Sequence, residues 1–473
     1  MSDFLAALYI LLLSLISIYG VMGLLTLWLY WRHRQEQFPA PPVAPADWPT
    51  VTVQLPIYNE QYVVERLLKT AVSLNYPPDK LHIQLIDDST DETSAIAARL
   101  IADYQQQGVN INFLHRDNRD GYKAGALAAA LPQTDSDFIA IFDADFAPRP
   151  DFLRQTIPHF LAEPKLGMVQ SRWEHLNADF SALTGAQAIA LDKHFGMEQV
   201  VRHRADLFPK FNGAGGVWRR ECMIAVGGWH DDTVCEDLCL STRAILDGWQ
   251  FRFLTDVTAP AELPTSVMAY KSQQARWSKG STQCLRKYGK AIMKNGRFTL
   301  IARLYAVLSM SAYITQPLLL GLLLLQIPLL WLNYHFSPYM LLFTFAGLGQ
   351  PILFIMGQQT LHTDWKRRLR HFPAMLLLAI GTAPSNSRAI WQALFGHDHP
   401  FVRTPKRGDG NSTTAYRPRF DKIFFVEIFF ALYAAFGIYL IISRQNMGPL
   451  FFLLTCISAF SYIAWLGWQE TKV

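Results

Sequence analysis

Two long stretches of this chain carry no charge at all, and they decide what it can become. Phe4 to Trp31 contains no Asp, Glu, Lys or Arg and is followed at once by Arg32 and Arg34, while Leu304 to Thr363 is again free of all four. The first is about one bilayer crossing long. The second is too long for one, and NYHFSP at Asn333–Pro338 supplies the break that makes it two. Further apolar runs occupy Ile423–Ser443 and Pro449–Trp468. Between these blocks the chain is mixed and charged, so the sequence predicts a water-facing domain inserted between a first membrane helix and a later group of them. With 51% hydrophobic and 17% charged residues in 473, the chain is too apolar for a soluble enzyme and too charged to be all membrane.

The positive charge follows the first apolar run rather than preceding it, which marks an anchor and not a signal peptide. It predicts Met1 outside and Arg34 in the cytoplasm. The apolar run inside 372–396 is too short to cross and is expected to lie at the interface. Left uncrossed, it keeps RRLRH (367–371) and VRTPKR (402–407) both cytoplasmic. The expectation is therefore five spans, at about 1–34, 304–332, 339–361, 423–443 and 449–468, plus one interfacial segment. Glu427, inside the fourth, is expected to face a polar path or to reach the headgroups. The net charge of +5 collects in Lys279, Arg286, Lys287, Lys290, Lys294, Arg297 and Arg303, beside the membrane. That place points to lipid headgroups and topology rather than to nucleic acid. Five cysteines form no disulfide framework, and Cys235 and Cys239, with no histidine to complete a metal site, read as packing residues.

After a Pro-rich linker (35–50), residues 51–295 alternate apolar strands with helical patterns. VTVQLPIYN, HIQLIDD, INFLH and FIAIFDAD each read as a buried strand ending in polar residues, which predicts an α/β domain with a mostly parallel sheet. Ligands bind such sheets beyond the carboxyl ends of the strands. There Asn59, Glu60, Asp87, Asp88, Asp143 and Asp145 would gather.

FDAD places two carboxylates two residues apart, and strand alternation would point both the same way, toward one hard cation such as Mg2+ or Mn2+. HRDNRDGYKAGAL (115–127) offers arginines, glycines and Lys123 ahead of a helix, as a phosphate-side loop would. It is not a Walker loop, and no G-x-G-x-x-G is present. A metal and basic groups facing a diphosphate suit a reaction in which the diphosphate leaves, as in sugar transfer from a nucleotide sugar. In DTVCEDLCL (232–240), Thr233 and Glu236 have capping-box spacing. Asp237 falls in the first helical turn, where the helix dipole would lower its proton affinity, and it is the candidate general base. SQQARWSKGS (272–281) can be read two ways. Arg276 can hold a phosphate oxygen while Trp277 stacks on a pyranose; equally, both can sit at a membrane surface as a snorkelling arginine and an interfacial tryptophan.

Taken together and in order, PIYNE, LIDDSTD, GYKAGAL, FDAD, FNGAGG, EDLCLS, QQARW and FVRTPK resemble the membrane-embedded family 2 glycosyltransferases, most closely the cellulose-synthase-like mannan and glucan synthases. The resemblance implies a GT-A glycosyltransferase domain among transmembrane helices. It gives Tyr58, Glu60 and Asp87 or Asp88 to the base and ribose, Lys123 to the diphosphate, Asp143 and Asp145 to the diphosphate and metal, and Asp237 the role of base. Gln273, Arg276 and Trp277 would mark where donor and acceptor meet, with Asn212, Gly213 and Glu236 on the acceptor side and Phe401, Arg403, Thr404 and Lys406 in a gating loop (400–407). The implied function is an inverting, processive β-hexosyltransferase that uses UDP-glucose or GDP-mannose, extends a polysaccharide and passes it outward. Transfer of one sugar to diacylglycerol or ceramide is the alternative, and a transporter or scaffold with a dead catalytic domain is a third. Cys235 where the family often has Thr, Ala214 where Ser or Thr is common, and Arg403 and Pro405 in the gating loop depart from the pattern, which leaves the sugar open.

Overall fold

The computed structural model describes residues 1–35, 44–396 and 421–471. The gating-loop residues Phe401, Arg403, Thr404 and Lys406, and part of the Pro-rich linker, lie outside the described residues. Seven strands, β1 (Val51–Ile57), β2 (Leu81–Asp87), β3 (Ile111–His115), β4 (Phe138–Ile141), β5 (Leu166–His175), β6 (Gly216–Arg219) and β7 (Gln250–Ala261), form one sheet in the order β3-β2-β1-β4-β6-β5-β7. Strands β3, β2, β1 and β4 run parallel, as do β5 and β7, while β6 is antiparallel to both of its neighbours. This is the mostly parallel sheet that the sequence predicts.

The central apolar runs become strands because the sheet is covered on both faces there, so nearly every position of β1, β2 and β4 is buried, while β3 at the edge is mostly half-buried. Val51, Val53 and Leu55 are fully buried on one side of β1, and Thr52 and Gln54 are equally buried on the other. A buried amide needs partners. Gln54 finds them by donating from Nε2 to Gln84 Oε1 on β2 (3.0 Å) and to Thr134 Oγ1 (3.3 Å). Since β1, β2 and β4 point the same way, the polar residues that follow them meet at one edge.

Among the described residues, five helices are long and apolar enough to cross a membrane: Ser2–His33, Ala312–Trp331, Pro338–Leu361, Ile423–Arg444 and Leu450–Glu470. The run expected to begin near Leu304 is divided. Leu300–Met310 is a separate short helix, started by Thr299, whose Oγ1 accepts from the Ala302 N–H (3.2 Å), and ended at Ser311. In the next span a short 3-10 turn, Ala312–Ile314, leads into the α-helical part, Thr315–Trp331, where Pro317 lies in the first turn and its missing N–H costs little. The expected interfacial segment forms two helices, Phe372–Gly381 and Ala383–Phe395, of 10 and 13 residues, each too short to cross.

Glu427 does not reach outward but is buried against Lys271 as an ion pair. A carboxylate in so apolar a setting survives by finding its countercharge within the protein.

Candidate active site

At the carboxyl edge of the sheet a cavity of about 190 Å3 collects nearly every residue singled out in the described part of the sequence. At one end are Tyr58, Glu60, Asp88 and Arg119; in the middle Lys123, Asp143 and Asp145; at the other end Asn212, Gly213, Glu236, Asp237, Gln273, Arg276 and Trp277.

The first end is built by the turns after β1 and β2. Asn59 takes a left-handed φ of 55°, with its N–H donating to Ser89 Oγ (2.7 Å) and its Oδ1 accepting from the Thr90 N–H (2.8 Å), so the two turns are tied together. Asp88 accepts from Arg116 Nε (2.7 Å) and Nη2 (2.5 Å), a fork that fastens the 116–121 loop to β2. Asp87 does not line the cavity. Fully buried, it accepts from the Ser89 N–H (3.0 Å) and Ser94 Oγ (2.5 Å) and pairs with His115 Nδ1 (2.8 Å), so it organises the turn and is not placed to touch a nucleotide. Arg119, on the fastened loop, lays its guanidinium 3.4 Å from the centre of the Tyr58 ring. Sequence reasoning counted this arginine only as part of a basic loop, because nothing in the residue order reveals a stack across two turns.

In the middle, Lys123 sits in the first turn of a helix (Tyr122–Ala130) and reaches Asp143 Oδ1 (2.5 Å), the Gly213 carbonyl (2.9 Å) and, at 3.8 Å, Glu236 Oε1. Burial works against its ammonium, but Asp143, Glu236 and Asp237 outweigh burial and hold its pKa above the ordinary value. Burial raises the Asp143 pKa, and Asp145 adds to the rise against the pull of Lys123. Strand β4 ends at Ile141, so strand alternation does not bring the two carboxylates together. A turn does, with the Phe146 N–H donating to the Asp143 carbonyl (3.0 Å).

The far end rests on two helices. The first, Glu236–Asp247, starts one residue after Cys235, which leaves Glu236 at the first helical position and the helix with no side-chain cap. The capping-box expectation therefore fails. Thr233 lies too early in the chain and pairs instead with the Cys239 thiol (3.0 Å), and Glu236 turns toward Lys123. Asp237 also departs from expectation, with its carboxyl pushed up to about 7 by burial and by the adjacent Glu236, both of which overcome Lys123, the Leu238 N–H and Arg276. Gly213 faces it with φ of 88°, and a Cβ there would stand 3.1 Å from Asp237 Oδ2. Only glycine provides that conformation together with that clearance. The second helix, Val267–Lys294, brings Gln273, Arg276 and Trp277 to one face at spacings of three and four. Their place in the cavity favours the first of the two readings of this stretch over a purely interfacial one.

The loop that carries Asn212 and Gly213 is held from behind by residues that carry no motif. Gln199 Nε2 donates to Asn212 Oδ1 (2.6 Å), Asn212 Nδ2 meets His194 Nε2 (2.9 Å), and His194 Nδ1 pairs with Glu198 (3.0 Å), to which Lys193 also pairs (2.6 Å). His194–Glu198 is a single turn of π-helix, a form that often marks functional sites. Trp173 on β5 closes the cavity wall and donates from Nε1 to the Ala214 carbonyl (3.0 Å).

Residues 49–280 match the family described as "Glycosyltransferase like family 2". The inserted domain is similar to that family over most of its length. Glucomannan 4-beta-mannosyltransferase 7 of Arabidopsis thaliana is 42% identical over 268 residues, which is 56% of this chain and 48% of that protein. Probable glucomannan 4-beta-mannosyltransferase 4 of Oryza sativa subsp. japonica is likewise 42% identical over 268 residues, 56% of this chain and 49% of the relative. The match spans about half the length of these curated relatives. Among solved structures, the mannosyltransferase PcManGT from Pyrobaculum calidifontis, in complex with GDP-Man and Mn2+, superposes with a TM-score of 0.56 at 21% identity over 82% of this chain and all of that one, which shows a shared fold.

Proposed function

We propose that the protein is an inverting, metal-dependent hexosyltransferase of the membrane that extends a β-linked polysaccharide from a nucleotide sugar, with its catalytic domain in the cytoplasm and its product passing outward between the spans. The observation that carries this reading is the single cavity in which Lys123, Asp143, Asp145, Asp237, Arg276 and Trp277 converge. A mannosyl donor, GDP-mannose, is favoured over UDP-glucose because the relatives matched over the catalytic domain are named as mannosyltransferases.

Each end of the cavity then has a task. Tyr58 and Glu60 take the base and ribose, and Lys123 and Arg276 hold the diphosphate oxygens and neutralise the charge that grows as it leaves. Trp277 stacks on the acceptor sugar. Asp237 accepts the proton of the acceptor hydroxyl while the oxygen of that hydroxyl bonds to the anomeric carbon and the bond to the diphosphate breaks on the opposite face, which inverts the linkage. A carboxylate with a pKa near 7 is a stronger base than an ordinary one and suits this role. Among the described residues no cluster of three or more metal-ligating side chains occurs. Asp143 and Asp145 nonetheless fit a hard cation such as Mg2+ or Mn2+, as oxygen donors on one cavity that would leave further positions to phosphate and water. When bound, the ion supplies further neutralisation of the diphosphate.

The test is a donor screen on purified protein with linkage analysis of the product. An insoluble, glycanase-sensitive β-polymer from GDP-mannose is expected. An organic-extractable product would indicate a glycolipid synthase, and no transfer from any donor would overturn the reading.

A further inference from the structure

The helix that carries Gln273, Arg276 and Trp277 begins beside the last two spans, and each of those spans sends a carboxylate to it. Glu470, at the end of the fifth span, accepts from Ser266 Oγ (2.8 Å), from the Met268 N–H (3.1 Å) and from the Val267 N–H. The N–H groups of a first helical turn have no partner inside the helix, and a negative charge there also meets the positive end of its dipole. One turn on, Lys271 pairs with Glu427 of the fourth span, with side chains only 5% and 1% exposed. Removing either partner would strand a buried charge, so the pair holds its register firmly.

Neither contact is needed to form the helix. It runs for 28 residues and has its own N-cap in Ser266, whose Oγ also accepts from the Ala269 N–H (3.3 Å). What the two carboxylates fix is its height and rotation. Gln273, Arg276 and Trp277 follow Lys271 by two, five and six residues, so a slip of one turn at the anchor would carry all three about 5 Å along the axis. Transfer chemistry tolerates far less than that.

We propose that Glu470 and Glu427 are positioning residues, which act through the Ser266–Met268 turn and Lys271 to set from the membrane spans the place where Gln273, Arg276 and Trp277 meet donor and acceptor. This rests on reading those three as part of the transfer site. The donor's base, ribose and metal are held by the turns after β1, β2 and β4, which neither carboxylate touches.

The experiment uses the full chain in lipid nanodiscs with Glu470→Gln, Glu427→Gln and the exchanged pair Lys271→Glu with Glu427→Lys. Turnover is normalised to molecules that bind GDP. Each single variant is expected to lose at least tenfold in kcat and to raise the acceptor KM, with GDP affinity falling by less than kcat does, because only Arg276 of the GDP-binding residues is displaced. Amide exchange at residues 267–270 should accelerate, and the exchanged pair should recover part of the lost kcat. Unchanged kcat per GDP-binding molecule in Glu470→Gln, even with a lower Tm, would reduce the carboxylates to stabilisers and overturn the proposal. Should Glu427→Gln fail to fold, Glu470→Gln decides alone. A wild type that transfers no hexose from any donor sinks the functional reading instead; amide exchange across 267–277 that is the same in Glu470→Gln and the wild type sinks this one.

Discussion

At the scale of single residues, Asp237 as the proposed base meets two opposed requirements, since a group that takes a proton from a sugar hydroxyl must be ionised and yet must sit where water is scarce. Its carboxyl is pushed up to about 7 by burial and Glu236. Folding therefore favours the protonated form: the stability this group contributes is present below an ordinary carboxylate pKa and is lost as pH rises through about 7. Transfer runs the other way, because only the ionised form accepts the proton, so kcat/KM should climb with pH to a plateau above about 7. Asp237→Asn is expected to cut kcat by roughly a thousandfold or more while GDP still binds, and to raise Tm at pH 8 by roughly 2 °C or more, because a neutral amide removes a repelled buried charge. Kinetics and thermal melts on one preparation check both. Arg119 gives a second expectation. If its guanidinium and Tyr58 form the wall against which a base stacks, Arg119→Ala should raise the donor KM about 3- to 30-fold. Inhibition by GDP should weaken by the same factor and inhibition by inorganic pyrophosphate, which has no base, should not. Equal weakening of both would make Arg119 a phosphate ligand. Asp237 was legible from its place after a helix start, whereas the direction of its proton affinity was not. The dipole is visible in the sequence, but burial beside Glu236 and under Gly213 depends on residues brought from elsewhere in the chain.

At the scale of elements, the site is assembled from turns after parallel strands and two helices, and the turns carry much of the precision. Gly213 is the sharpest case. Replacing it with Ala would force a side chain into a left-handed backbone, at a cost of about 1–2 kcal/mol, and toward Asp237 Oδ2 at 3.1 Å. The Gly213 carbonyl also accepts from Lys123 (2.9 Å), so displacement of this loop disturbs donor and acceptor sides together. Gly213→Ala is expected to lower kcat at least tenfold with a smaller change in GDP affinity, measurable by titration and initial rates. Strands β1, β2 and β4 could be read directly because each is an apolar run closed by polar residues, a pattern that burial on both faces imposes, and β3 keeps the same pattern at the half-buried sheet edge. The reversal of β6 could not. A four-residue strand, Gly216–Arg219, has too little sequence to state its direction, which is set by pairing with β4 and β5. The π-turn at His194–Glu198 was equally invisible, because a single wide turn leaves the apolar periodicity of its helix nearly intact.

At the scale of the whole molecule, what matters is which side of the bilayer the cavity occupies. The argument for the cytoplasm is electrostatic: Arg32 and Arg34 follow the first span, and the basic run from Lys279 to Arg303 adjoins the second, an arrangement that translocation disfavours. Contacts join these parts into one body, for Arg204 of the catalytic domain donates to the carbonyls of His33 (3.2 Å) and Arg34 (2.8 Å) at the end of the first span. The same body includes the anchors at Glu427 and Glu470, so the cavity and the span ends that carry Arg34, Glu427 and Glu470 must share a side. In inside-out membrane vesicles, GDP-mannose added to the medium would then reach the cavity directly, and right-side-out vesicles would be inactive until permeabilised. If elongation is coupled to passage between the spans, polymer made by inside-out vesicles should collect in the lumen. It should resist added mannanase and become sensitive once detergent opens the membrane. Polymer that is digested without detergent would leave the transferase intact and remove export from its functions. Activity in sealed right-side-out vesicles would place the catalytic domain on the opposite face, against the charge distribution from which its orientation is argued.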